Sequence, residues 1–159
     1  MRGFVSYAHQ RSGMFEQFNK FSKLPLASID GLKVWTDNDN RIGDEFERRI
    51  LDQIQVADLF ILLVCADFLA SDFIIDKELP AIQRRLVDGA LVLPVVLRPC
   101  QWQYVLGSRL AAPLGNLNRI VPVSDWRPHD NGYNRAIEQV MASICQHFGV
   151  TPNQNRLVL

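Results

Sequence analysis

Hydrophobic positions along the chain follow two alternating rhythms. Gly3-Phe4-Val5-Ser6-Tyr7 and Leu32-Lys33-Val34-Trp35-Thr36 are short strand-like runs, the second with polar and apolar residues in alternation. From Asp58 to Cys65 the run is apolar after its first residue, as expected of a strand covered on both faces. Ala90 to Leu97 and Arg119 to Val123 read as a fourth and a fifth strand. Between them the spacing becomes helical. Phe15, Phe18 and Leu24 mark a first helix closed by Pro25, and Phe46, Ile50, Leu51 and Ile54 a second, with acidic residues in its first turn where the helix dipole favours them. Glu78, Leu79, Ile82 and Leu86 mark a third, ended by Gly89. Pro80 is tolerated there if the helix begins near Leu79; otherwise it kinks a longer helix that begins near Ser71. The last helix reads Ala136, Ile137, Val140, Met141, Ile144 and Phe148, capped by Asn131 or Asp130 and terminated by Gly149.

Strand and helix alternating in this way predict an α/β domain: a flavodoxin-like, three-layer fold with a five-stranded parallel sheet, order 2-1-3-4-5, and helices on both faces. Its crevice lies beyond the carboxyl ends of strands one and three, which brings Tyr7-Ala8-His9 and the segment from Cys65 to Ser71 to one cleft. The domain is expected over residues 1–149. The segment 150–159 lacks periodicity and reads as a tail or a linker to a further module.

Composition narrows the function classes. The 159 residues fit one domain, and 48% hydrophobic with 21% charged is globular rather than disordered. Lys+Arg and Asp+Glu are both 17, with no long basic stripe, which disfavours nucleic-acid binding. Three dispersed cysteines, Cys65, Cys100 and Cys145, read as buried thiols of a reducing compartment. They form no metal-ligand spacing with His9, His129 or His147, so no metal is expected. The longest apolar run, Leu59 to Ala66, falls well short of the ~20 residues of a membrane helix, and Met1-Arg2-Gly3 opens no signal peptide. The expectation is a cytoplasmic protein, off the membrane.

Several chemistries of this architecture are missing their motifs. There is no phosphate-cradling lysine loop, no GxGxxG, no GxSxG and no HExxH. A phosphoacceptor site needs acidic residues where the chain has Ser6-Tyr7-Ala8-His9 and Val64-Cys65-Ala66. What the chain does carry is a set of segments in a telling order. Phe4-Val5-Ser6-Tyr7-Ala8-His9 resembles the first-strand motif of Toll/interleukin receptor (TIR) domains. Trp35-Thr36-Asp37 with Arg41-Ile42-Gly43 is similar to their second strand and following loop. Ala66 to Phe73 with Glu78-Leu79 resembles the third-strand exit and helix of bacterial members, and Val92 to Trp102 their fourth strand and its exit. The resemblance runs from Gly3 to Phe148.

Many TIR domains cleave NAD+ at the nicotinamide–ribose bond, and the resemblance maps their essential glutamate onto Glu78. It implies NAD+ as substrate, with no added cofactor, and self-association through TIR–TIR contacts. It also implies fusion to a sensor or effector domain and a role in bacterial immunity or signalling. Around Glu78 it points to Tyr7, His9, Asp37, Arg41, Gly43, Ser71 and Ile74 as substrate-binding positions. Each has a plainer reading. Ser71 with Asp72 caps a helix, Tyr7 and His9 face solvent in a loop, Asp37 to Asp39 form a turn, and Trp35 packs in the core. Ile74 departs from the family, whose enzymatic members often carry tryptophan at that position. Trp102 and Tyr104 either supply an aromatic surface in its place or pack under their own loop.

The chemistry asks little of the protein. Nicotinamide leaves as a neutral molecule, so no general acid is required. The transition state resembles an oxocarbenium ion, and one carboxylate bound to the ribose hydroxyls stabilises that cation. Water then yields ADP-ribose; an internal hydroxyl or ring nitrogen yields a cyclic isomer. Two other classes compete: a non-catalytic TIR adaptor working by homotypic assembly, and an enzyme similar to nucleoside deoxyribosyltransferases, which also use a glutamate.

Overall fold

In the computed structural model, residues 1–8, 12–36, 43–107, 112–116 and 119–153 are described. The chain runs β1 (Arg2–Ser6), α1 (Ser12–Ala27), β2 (Lys33–Thr36), α2 (Asp44–Val56), β3 (Leu59–Val64) and α3 (Ala66–Leu69). A π-helical turn (Ile74–Glu78) leads directly into α4 (Leu79–Val87), followed by β4 (Leu91–Val96) and α5 (Gln103–Leu106). A 3-10 turn (Val123–Asp125) precedes the last helix, α6 (His129–Phe148).

The sheet is parallel, with β1 pairing β2 from Arg2↔Lys33 and β3 from Gly3↔Leu59, while β3 pairs β4 from Leu59↔Leu91 to Val64↔Val96. Side chains alternate across it, and so two apolar layers form. On one face Val5, Leu59, Ile61, Leu63 and Val95 pack with α1 and α6 through Phe15, Phe18, Ile137 and Val140. On the other, Phe4, Phe60, Leu62 and Val64 pack with α2 and α4 through Ile50, Ile54, Ala81 and Ile82. All six residues of β3 are buried, each stabilising the fold by roughly 1.5–3 kcal/mol if its side chain is large. Trp35 belongs to this core: its ring stacks on Phe4 at 5.2 Å between centroids.

The sheet departs from expectation in its strand count. It has four strands in the order β2-β1-β3-β4 among the described residues, and no fifth strand over Arg119–Val123. Ile120 instead forms an isolated antiparallel bridge with Leu114, and Pro122 leads into the 3-10 turn. The cause lies in β4. The outer edge of that strand is read by Ala112, which donates to the Pro94 carbonyl at 2.8 Å and accepts from the Val96 N–H at 2.8 Å. Pro94 has no N–H to offer on that side, so a full ladder cannot run along the edge and only a single bridge forms.

Helix ends follow the sequence in part: α6 begins at His129 with Pro128 at its N-cap, not Asn131 or Asp130. Gly149 closes α6 in the left-handed conformation, φ 64. Pro25 does not close α1, which runs on to Ala27. So near the helix end the proline forfeits one backbone bond only, and the Ser28 hydroxyl satisfies the Pro25 carbonyl at 2.6 Å. No helix among the described residues is long and apolar enough to cross a membrane.

Candidate functional site

Glu78 sits where two readings of Pro80 meet. The helix begins at Asp72, after Ser71, and widens over Ile74–Glu78 into a π turn closed by the Leu79 N–H on the Ile74 carbonyl. Pro80 explains the widening: it lacks the N–H that would bond the Asp76 carbonyl, and its ring crowds the preceding turn. The longer helix and the first-turn proline are therefore both present, joined by the wide turn.

Ile74, Glu78 and Ile82 then recur on the stripe that faces the sheet. Glu78 is only 4% exposed, a carboxylate set into an otherwise apolar helix face. A dipole-favoured surface glutamate would stand in water, and this one does not. Ile74 is buried in the same layer beside Phe68, Cys65 and Ala8. Arg85 ties α4 to the end of α2 by donating from Nε and Nη2 to the Ala57 carbonyl at 3.3 and 3.1 Å. Lys77 reaches Glu47 on α2 at 2.8 Å. Exposed as it is, that pair contributes about 0–1 kcal/mol, so it steadies the turn's position more than the fold's stability.

The structure separates the other candidates. Ser71 acts as the helix cap: its hydroxyl accepts from the Ile74 N–H at 3.4 Å. Tyr7 lies on the opposite layer from Glu78, half-buried, its ring stacked on Phe15 at 4.1 Å. Gly43 precedes α2 with φ 146, a backbone conformation that favours glycine, and its carbonyl accepts from the N–H groups of Phe46 and Glu47. His9, Asp37 and Arg41 lie outside the described residues. So Glu78, Ile74 and Ser71 share one helical segment, and Tyr7 does not turn its ring toward them.

Two aromatic candidates divide in the same way. Trp102 is half-buried against the layer of α2 and α4, whereas Tyr104 on α5 is 88% exposed. Of the cysteines Cys65 alone is buried; Cys100 and Cys145 are half-buried, which corrects the expectation of three buried thiols. Burial pushes the Cys100 thiol up from its ordinary value, a backbone bond at Trp102 pulls it down, and nearby Cys65 adds to the rise. No cluster of His, Cys, Asp and Glu among the described residues is suited to a metal ion.

One residue escaped the sequence reading except as part of a motif. Ser6 ends β1, is 2% exposed, and its Oγ has no hydrogen-bond partner among the described residues. Such a hydroxyl costs about 1–3 kcal/mol relative to a satisfied one. The signal was in the alternation: Phe4, Ser6 and Ala8 share a face, and the middle one is polar.

A doubly wound parallel sheet with a carboxylate buried in one of its two helix-covered layers defines an α/β domain whose candidate site lies by its switch point. A profile of the TIR domain family matches residues 4–140. The chain belongs to that family. It is 32% identical over 143 residues to the uncharacterized protein y4lF of Sinorhizobium fredii, covering 86% of this chain. The chain spans 42% of that relative's length. The TIR domain of the Toll-related receptor TRR-2 from Hydra magnipapillata superposes with a TM-score of 0.55 at 21% identity, covering 88% of this chain and 97% of that domain. At that identity the likeness is one of fold.

Proposed function

We propose that this TIR domain is an NAD+ glycohydrolase or cyclase with Glu78 as its catalytic residue. The observation that carries the reading is the burial of Glu78, set on an apolar helix face by a π turn, a feature frequent at functional sites. A carboxylate taken out of water there needs a reason that surface solubility does not supply. Held in a low-dielectric layer, it opposes positive charge more strongly than it would in water.

The proposed reaction balances simply. The C–N bond between ribose and nicotinamide breaks, and nicotinamide leaves with the bonding pair as a neutral molecule. The cationic ribose is stabilised by the Glu78 carboxylate and captured by water, giving ADP-ribose and a proton. Capture by a group of the same molecule gives a cyclic isomer. Ile74, an aliphatic wall beside the turn, offers shape rather than a stacking face.

The experiment is nicotinamide release from NAD+, followed by chromatography. Glu78→Gln, confirmed folded by circular dichroism, is expected to lose at least about a hundredfold in turnover, the scale of removing one preorganised transition-state group. Wild-type protein that leaves NAD+ intact, even concentrated, sinks the enzyme reading and leaves the assembly role. Base exchange between nucleosides without NAD+ cleavage would assign the glutamate to the deoxyribosyltransferase-like reaction instead.

A further inference from the structure

We infer that Ser6 is a second substrate-contacting residue, whose hydroxyl binds the ribose hydroxyl next to the one bound by Glu78; this rests on the reading of Glu78 given above. The buried polar side chains among the described residues are Ser6, Ser22, Ser28 and Glu78. Ser22 and Ser28 lie within and just after α1, and Ser28 already donates to the Pro25 carbonyl at 2.6 Å. Ser6 and Glu78 belong to the other layer. Phe4 and Ala8, which flank Ser6 on its face of β1, pack in the cluster that holds Ile74 and Ile82, the residues flanking Glu78 on its helix stripe. Ser6 is paired in register with Leu62 of β3, another member of that cluster.

Thus the two buried polar side chains other than Ser22 and Ser28 interrupt one apolar layer, one on the sheet and one on the helical segment packed on it. Both stand at the carboxyl end of the sheet: Ser6 is the last residue of β1, and the π turn follows the exit of β3. Burial of the Ser6 Oγ without a partner is unfavourable in the free protein, and removing the hydroxyl relieves it. A vicinal diol provides what the Ser6 hydroxyl lacks. One ribose hydroxyl donates to the Glu78 carboxylate, and the neighbouring hydroxyl accepts from, or donates to, Ser6. A hydroxyl that costs stability in the free protein and gains a bond with ligand is the trade expected of a binding residue.

Ser6→Ala tests this through stability and ligand binding together, with Ser28→Ala as the control for an ordinary buried hydroxyl. Ser6→Ala is expected to raise the thermal midpoint by about 2–4 °C. It is also expected to weaken ADP-ribose binding in calorimetry, and to lower kcat/KM for NAD+, by about tenfold. Ser28→Ala should lower the midpoint and leave both ligand measurements unchanged. Unchanged ADP-ribose affinity in Ser6→Ala overturns the inference, and so does a lowered midpoint, which would show that the hydroxyl has a structural partner. Wild-type protein that binds ADP-ribose but releases no nicotinamide refutes the enzyme reading alone, and Ser6 is then judged on affinity. Wild-type protein that binds no ADP-ribose overturns the inference as well.

Discussion

Ser71 shows how one side chain can satisfy both of its readings in sequence and yet be decided by geometry. Its hydroxyl accepts the Ile74 N–H, one of the orphan donors at the start of the helix that carries Glu78. Ser71→Ala should therefore cost about 1 kcal/mol. For a chain of this length that lowers the thermal midpoint by about 2–4 °C, with nicotinamide release unchanged once the protein is folded. A fall in release with an unmoved midpoint would make Ser71 a substrate contact instead. Ser6 and Ser71 are thus opposite cases among serines near Glu78. The hydroxyl of one is used by the fold, and that of the other is left for something else to use. Sequence did not separate them, because a serine in a strand motif and a serine before a helix carry the same atoms, and only burial and partners tell their work apart.

Among the elements, the strands with a strong hydrophobic pattern were legible, and those that depend on a partner's edge were not. The apolar run from Leu59 to Val64 became the fully buried β3, and alternation in Lys33–Thr36 became β2. Arg119–Val123 has strand-like composition, but a strand needs donors opposite it, and Pro94 removes one from the edge it would have joined. The resemblance singled out Glu78 but not its burial, since the π turn arises from a backbone clash at Pro80 that no hydrophobic period encodes. Pro80→Ala restores an N–H for the Asp76 carbonyl and should let the turn regularise. The expected result is a midpoint that holds or rises, while nicotinamide release falls severalfold as Ile74 and Glu78 rotate away from their present places. Release that stays at the wild-type level would show that packing on Phe68 and Ile50, and not the proline, sets the wide turn.

For the whole molecule, the candidate site is sparse: one buried carboxylate, an aliphatic side chain and a hydroxyl without a partner among the described residues. Exposed Tyr104 on α5 is available to a neighbouring copy. If the homotypic contacts general to TIR domains complete the site, initial rate should rise more steeply than in proportion to enzyme concentration. Strict proportionality down to high dilution would place the complete site within one chain. Pro94 bears on what such an assembly can be. Its missing donor makes the β4 side of the sheet a poor template for another chain's backbone, as prolines do at strand margins in many proteins. Copies meeting on that side must recognise each other by side-chain shape and charge. Contacts of that kind come apart on dilution, and the same margin disfavours the growth of cross-β fibrils from this edge even in a crowded population.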